Sequence, residues 1–312
     1  MIEVATVLKK VYFIISKNNL KIPAVLKSTE EACTYIKESG YESTYESIEA
    51  VTVSEFVPSK ESILIVTDKG DFAQQLREAG IPVVGVSGDF NKDQDFEGLK
   101  YVFADIDEVE IDSYVKAYQR YVGEPWEVLQ TERLLIRETT LEDVDEFYEL
   151  YKDPEMTRYM EGLFENPEDE KRYQKDYIEK VYGLMGFGIW TVIRKEDGKV
   201  IGRAGFSIRN GFDEIELGFL IGKMYQRQGY AFEACSAILE YGKNMLFFDK
   251  VQTLVKAENA VSIHICEKLG FKTTDTVDVE ENIYGKEYRT DKNVPLSEAH
   301  FGKYVRMVKF LW

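Results

Sequence analysis

The stretch that most restricts the fold of this chain is Tyr225-Gln226-Arg227-Gln228-Gly229-Tyr230-Ala231, because a strand pattern runs into it and a helical pattern runs out of it. Upstream, Glu214-Ile215-Glu216-Leu217-Gly218-Phe219-Leu220-Ile221 alternates and then turns wholly apolar, as a strand does on passing from a half-exposed to a buried setting. Gly218 interrupts it. A glycine inside a strand often marks a bulge or a close backbone approach, so a bulge is expected there, with a ligand against the main chain. Downstream, Ala231, Ala234, Cys235, Ile238, Leu239 and Tyr241 recur at helical spacing. The turn between them sets unpaired backbone N–H groups at a helix N-terminus, where donors and helix dipole together favour a phosphate, and Gly229 lets such a ligand approach. Taken alone, the pattern also fits an ordinary strand-turn-helix.

A second segment follows about thirty residues on. Residues 251–257 read as an apolar strand, and Asn259-Ala260-Val261-Ser262-Ile263-His264-Ile265-Cys266-Glu267-Lys268-Leu269-Gly270-Phe271 as a short helix ended by a glycine. Together these segments resemble the GNAT superfamily of acyl-CoA-dependent N-acetyltransferases. Its motif A, Q/R-x-x-G-x-G/A, is matched from Gln226 to Ala231, and its motif B, N-x-x-A/S-x-x-x-x-E-K-x-G-F, from Asn259 to Phe271. Thr131-Glu132-Arg133-Leu134-Leu135-Ile136-Arg137 is similar to the T-E-R-L opening of the RimJ/RimL-like branch. The resemblance covers residues 131–312 and implies a mixed, mostly antiparallel central sheet with flanking helices.

The resemblance also implies a site. Acetyl-CoA is the expected acyl donor: Phe219, Leu220 and Ile221 would pair with its pantetheine, and Gln226, Arg227, Gln228, Gly229, Tyr230 and Ala231 would hold its pyrophosphate. Asn259 would orient the pantetheine arm. Glu216 takes the position of a base, which is useful because an amine attacks a thioester only when neutral. An N–H near Phe219 or Leu220 would stabilise the oxyanion. Many relatives place a tyrosine seven residues after the motif B asparagine; here that position is Cys266, so Ser262 is assigned as thiolate partner, with Cys266 as the alternative. Phe187, Trp190 and Tyr284 are candidates for lining the acceptor pocket, but in a chain with 20 Tyr, 18 Phe and 3 Trp core packing is the default expectation for them. No metal is expected, since His264 and His300 have neither metal nor triad spacing.

In residues 1–125, strand patterns at 63–68, 81–86 and 99–104 alternate with helical ones at 71–79 and 114–121, which implies a Rossmann-like parallel sheet. This region weakly resembles a degenerate haloacid-dehalogenase-like domain, with Thr67-Asp68 and Asp105-Ile106-Asp107 at strand ends but no D-x-D motif near the N-terminus. The first sixty residues read as largely helical. A boundary is expected at Gly123-Glu124-Pro125-Trp126. Beyond it, a strand at 134–137, helices at 140–152 and 168–185, and a hairpin turning at Asp197-Gly198 complete the pattern.

The net charge is −17, with 13 Lys and Arg against 23 Asp and Glu in residues 1–130 and 26 against 33 beyond. Two acidic halves argue against nucleic acid or an anionic membrane as partner and are compatible with a protonated amine, whether a peptide or a small molecule. The apolar run at 11–15 is too short for a signal peptide or a span. Three cysteines without a C-x-x-C pair argue against disulfides or zinc and for the cytoplasm. A homo-oligomer is compatible with this composition. The leading reading is an N-acetyltransferase acting on a primary amine through a ternary complex; a non-catalytic acyl-CoA-binding sensor or scaffold is the alternative.

Overall fold

The computed structural model describes residues 7–56, 62–281, 288 and 300–312. The chain divides into two compact units, Met1–Trp126 and Glu127–Trp312.

In the first unit, β1 (Lys10–Ile15), α1 (Pro23–Glu38), β2 (Glu42–Ser47), β3 (Ile63–Thr67), α2 (Gly70–Glu78), β4 (Val83–Val86), β5 (Val102–Phe103) and α3 (Ile111–Val122) follow in order. The strands form an all-parallel sheet in the order β2-β1-β3-β4-β5. Alternation splits β1 between two cores: Val11, Phe13 and Ile15 pack with α1 and α3, and Ile14 packs with Phe72 and Leu76 of α2. A parallel sheet covered on both faces buries every residue of its inner strands, which explains the continuous Ile-Leu-Ile-Val run of β3. The expectation of a largely helical start is corrected here, because β1 and β2 flank α1. The run Val11 to Ile15 is β-branched and aromatic, and a short apolar run does not separate a buried strand from a buried helix by period alone.

In the second unit, β6 (Glu127–Gln130), β7 (Leu134–Arg137), α4 (Asp143–Tyr151) and α5 (Pro167–Tyr177) lead through a π-turn to α6 (Gly183–Met185). Then come β8 (Ile189–Arg194), β9 (Val200–Ile208), β10 (Ile215–Ile221), α7 (Tyr230–Asn244), β11 (Lys250–Lys256), α8 (Ala260–Lys268), β12 (Lys272–Glu281) and β13 (His300–Phe310). The eight strands order as β12-β13-β11-β10-β9-β8-β7-β6, antiparallel throughout except for the parallel pair β10–β11. β6 has no counterpart in the expected pattern.

Two faces of this sheet serve different purposes. Leu217, Ile221, Ala204 and Phe206 pack with Ala234, Cys235, Ile238 and Leu239 of α7. The opposite face, which carries Glu216 and Arg203, lies toward α4, where Glu146 accepts the Val200 N–H at 3.1 Å and the Phe147 ring lies 4.5 Å from the Arg203 guanidinium carbon.

Candidate active site

The pair β10–β11 opens like a fork. β10 pairs with β9 over its whole length, but it meets β11 at a single rung, Glu216 opposite Gln252, while β11 stays paired with β13 along all seven of its residues. The β10–β9 register runs unbroken through Gly218 opposite Gly205, so the bulge expected at Gly218 is absent. A Cβ there would meet only Ile189 Cδ1 at 3.4 Å, an ordinary contact. The main chain is freed by strand divergence instead.

Alternation tells which groups are freed. The Gly222 N–H donates to the Ile201 carbonyl at 2.8 Å, and antiparallel ladder bonds recur at every second residue. Glu216, Gly218 and Leu220 therefore turn their main chain toward β9, and Leu217, Phe219 and Ile221 turn theirs into the fork. Leu220 is removed as an oxyanion donor and Phe219 retained. The Ile221 carbonyl already accepts from Gln226 Nε2 at 2.9 Å, so the Gln226 side chain ties the turn to the strand end.

At the mouth of the fork the chain passes Arg227 at φ 61° and Gly229 at φ 85° before entering α7. Gly229 adopts this left-handed geometry without the steric cost a side chain would add. The first intrahelical bond runs from Glu233 N–H to the Gly229 carbonyl, and the N–H groups of residues 227–232 have no acceptor among the described residues. Six successive donors without an acceptor, at the positive end of a 15-residue helix, favour an anion. Phe232 joins this set, which the motif did not include. Tyr230 contributes only main chain, since its ring is buried.

The turn is held from β7. Arg133 Nη1 donates to the Gln228 carbonyl at 3.0 Å, its Nε and main-chain N–H donate to the Glu233 carboxylate at 2.7 and 3.0 Å, and its guanidinium lies 4.4 Å from the Tyr230 ring centre. Thr131 Oγ1 donates to the same carboxylate at 2.5 Å. Burial works against the ionised Glu233, but these bonds and the Arg133 charge outweigh it and hold its pKa below the ordinary carboxylate range.

Glu216 is buried, and Arg209 reaches it with Nε at 2.8 Å and Nη2 at 3.4 Å. Burial pulls the Arg209 pKa down, and the Glu216 charge and hydrogen bond reverse that to a net rise. Glu214, two residues earlier, is consumed by Lys250 at 2.9 Å and Arg306 at 2.7 Å. In α8, Asn259 Oδ1 caps the helix by accepting the Ser262 N–H at 3.2 Å. The half-buried Ser262 hydroxyl has no partner among the described residues. Cys266 is fully buried in the core, and burial, against a hydrogen bond with Thr253, pushes its thiol up to about 11. With no surface exposed, it is placed for packing and not for reaching a thiolate.

Phe187 and Trp190 take the core-packing role that was the default expectation, stacked edge-on against Phe206, and do not line a pocket. Tyr284 lies outside the described residues. Among the described residues no His, Cys, Asp and Glu group is arranged to hold a metal ion, and no helix is long and apolar enough to cross a membrane. In the first unit, Asp68 is fully buried with its carboxylate accepting from Ser16 N–H and Oγ and from Asn19 Nδ2, while Asp105 and Asp107 are exposed.

The forked parallel pair leaves one edge of β10 open beyond Glu216, and that edge leads to the N-terminus of α7. The Acetyltransferase (GNAT) domain matches residues 133–272, so that match ends short of the first unit. The chain is 32% identical over 152 residues to the uncharacterized N-acetyltransferase p20 of Bacillus licheniformis, covering 47% of this chain and 83% of that protein. It is 32% identical over 145 residues to the uncharacterized N-acetyltransferase YnaD of Bacillus subtilis (strain 168), covering 46% and 82%. A GNAT-family acetyltransferase structure from Bacillus anthracis aligns at a TM-score of 0.44 and 23% identity over 59% of this chain and 98% of that one. The chain belongs to the GNAT acetyltransferase family and is an acyltransferase enzyme. GNAT acetyltransferases take their acetyl group from acetyl-CoA.

Proposed function

We propose that this chain moves an acetyl group from acetyl-CoA to a primary amine, of a peptide or a small molecule, by direct attack in a ternary complex. The observation that carries this reading is the set of N–H groups at residues 227–232 without an acceptor among the described residues, set at the mouth of the parallel pair β10–β11. The pyrophosphate binds those donors. The pantetheine amides pair with the Phe219 and Ile221 main chain along the open side of β10, and Asn259 Nδ2 steadies the arm while its Oδ1 caps α8.

The amine nitrogen attacks the thioester carbon. A C–N bond forms, the C–S bond breaks, the oxyanion is met by the Phe219 N–H, and the proton that the nitrogen sheds after attack reaches the departing thiolate through the Ser262 hydroxyl, which gives up its own proton and is reprotonated. Glu216 removes the proton from the incoming ammonium. Its contact with Arg209 gives way to the ammonium, one cation replacing another on the same carboxylate. Positioning and oxyanion stabilisation supply most of the rate. The non-catalytic acyl-CoA-binding reading is favoured by one observation, the occupation of both Glu216 oxygens by Arg209.

Free-thiol release from acetyl-CoA across a panel of primary amines separates the two. The enzyme reading expects amine-dependent release, lowered on the order of a hundredfold in Glu216→Gln at neutral pH with acetyl-CoA affinity unchanged. Unchanged turnover in that variant removes Glu216 from the mechanism.

A further inference from the structure

The face of β9 and β10 that carries Glu216 can be followed rung by rung, since residues opposite each other in an antiparallel ladder share a face. Glu216 stands with Ser207, Gly218 with Gly205, and Leu220 with Arg203. The middle rung has no side chains, and its two glycines have different causes. At Gly205 the packing demands one: an added Cβ would lie 2.0 Å from the Gly188 carbonyl oxygen, which is held in place by the Phe206 N–H at 3.0 Å. At Gly218 nothing in the fold demands one. Its φ lies outside the left-handed region, its register with β9 is unbroken, and beyond its chain neighbours an added Cβ would meet only Ile189 Cδ1 at 3.4 Å.

A glycine in the middle of a strand weakens it, because it packs no side chain and orders the most flexible kind of backbone. Here it leaves a dent. Glu216 and Leu220, its neighbours along that face, are 5% and 6% exposed, yet the bare main chain of Gly218 between them is only half-buried. Ile189 bounds the dent on one side. On the other side β10 has no strand partner, because its single rung with β11 lies at Glu216. The dent therefore opens onto the fork, next to the Phe219 main chain and two residues, about 7 Å, from Glu216.

We infer that Gly218 sets the size of the acceptor site: the carbon that bears the amine lies against its main chain, in the space a side chain would fill, between Glu216 and the thioester. This rests on the reading of the fork as an amine acetyltransferase site. A Cβ at this position points to the Glu216 face and not along the strand edge into the fork, so an added side chain crowds the amine rather than the acyl carrier.

The test uses the full chain and compares wild type with Gly218→Ala and Gly218→Val, valine being well suited to a strand. Acetyl-CoA affinity by calorimetry is expected to be equal in all three, which also reports that each is folded. Thiol release is then measured with the best acceptor from a panel of alkylamines, diamines, amino acids and amino-acid amides. KM for that amine is expected to rise about threefold in Gly218→Ala and about thirtyfold in Gly218→Val, with a larger loss for amines branched at the carbon next to nitrogen than for unbranched ones. An amine KM unchanged in Gly218→Val, or a fall in acetyl-CoA affinity with the amine KM kept, overturns the inference and leaves amine acetylation intact. No thiol release with any amine overturns the underlying reading, and the acceptor role of Gly218 with it. Independently of turnover, Gly218→Cys saturated with acetyl-CoA is expected to react with methyl methanethiosulfonate at one thiol, the three native cysteines being buried. An introduced thiol that stays unreacted in the folded chain shows the dent closed and overturns the inference.

Discussion

Arg133 and Glu233, a hundred residues apart in the chain, join the entrance of β7 to the first turn of α7 through guanidinium–carboxylate bonds of 2.6 and 2.7 Å. The same guanidinium also holds the Gln228 carbonyl, so one side chain fixes both the helix and the turn that precedes it. Preorganised donors bind an anion without first paying the entropy of ordering the loop. Arg133→Ala is therefore expected to weaken acetyl-CoA binding about tenfold, and Arg133→Lys, which keeps the charge but not the fork, by less. The measurement is a Kd for acetyl-CoA together with kcat at saturation. An unchanged Kd in Arg133→Ala separates the pair from the anion site.

The Glu233 end of the pair also sets an acid limit. Its folded-state pKa is depressed, so its contribution to stability is complete above the unfolded value of about 4.3 and is lost as pH falls through the folded one. Glu233→Gln lacks that contribution at every pH. Chemical denaturation followed by circular dichroism should show the variant less stable than wild type at pH 7, with the gap closing below about pH 4. A gap that stays constant into acid contradicts the assignment.

Much of this site is legible locally. The alternation of β10, the turn through Gly229 and the helical spacing of α7 are short-range patterns, and they locate the N–H groups that lack an acceptor among the described residues, those of 227–232, to within one residue. What was not legible depends on residues distant in the chain. The divergence of β10 from β11 follows from which strands β11 pairs with, and a lone Gly218 gave the wrong cause for a correct effect. Arg209 as partner of Glu216 was within reach of the hairpin register, which sets residues after β9 beside the start of β10. Arg133 lay inside a quoted motif, but its partner Glu233 could not be named without the packing of β7 on α7. Phe187 and Trp190 go to the core by default only, because an aromatic residue next to a strand looks the same in sequence whether it faces a pocket or the core.

The buried thiols yield a separate check. Cys33, Cys235 and Cys266 are each under 5% exposed, and burial raises all three pKa values. A thiolate-seeking reagent at pH 8 should leave the native chain unreacted on the timescale of a turnover assay and modify all 3 cysteines after denaturation. Rapid reaction of any one in the native state contradicts its placement in the core.

The central claim is that the turn before α7 is the acyl-carrier phosphate site. The direct measurement is calorimetric titration of acetyl-CoA into the wild-type chain and into Gly229→Arg, where a side chain would be forced into φ 85° beside Arg133 Nη2, 3.4 Å from an added Cβ. The account predicts saturable one-site binding in wild type that is lost in the variant, with both proteins showing the same circular dichroism spectrum. Absence of binding in wild type, or equal affinity in a folded variant, would contradict it.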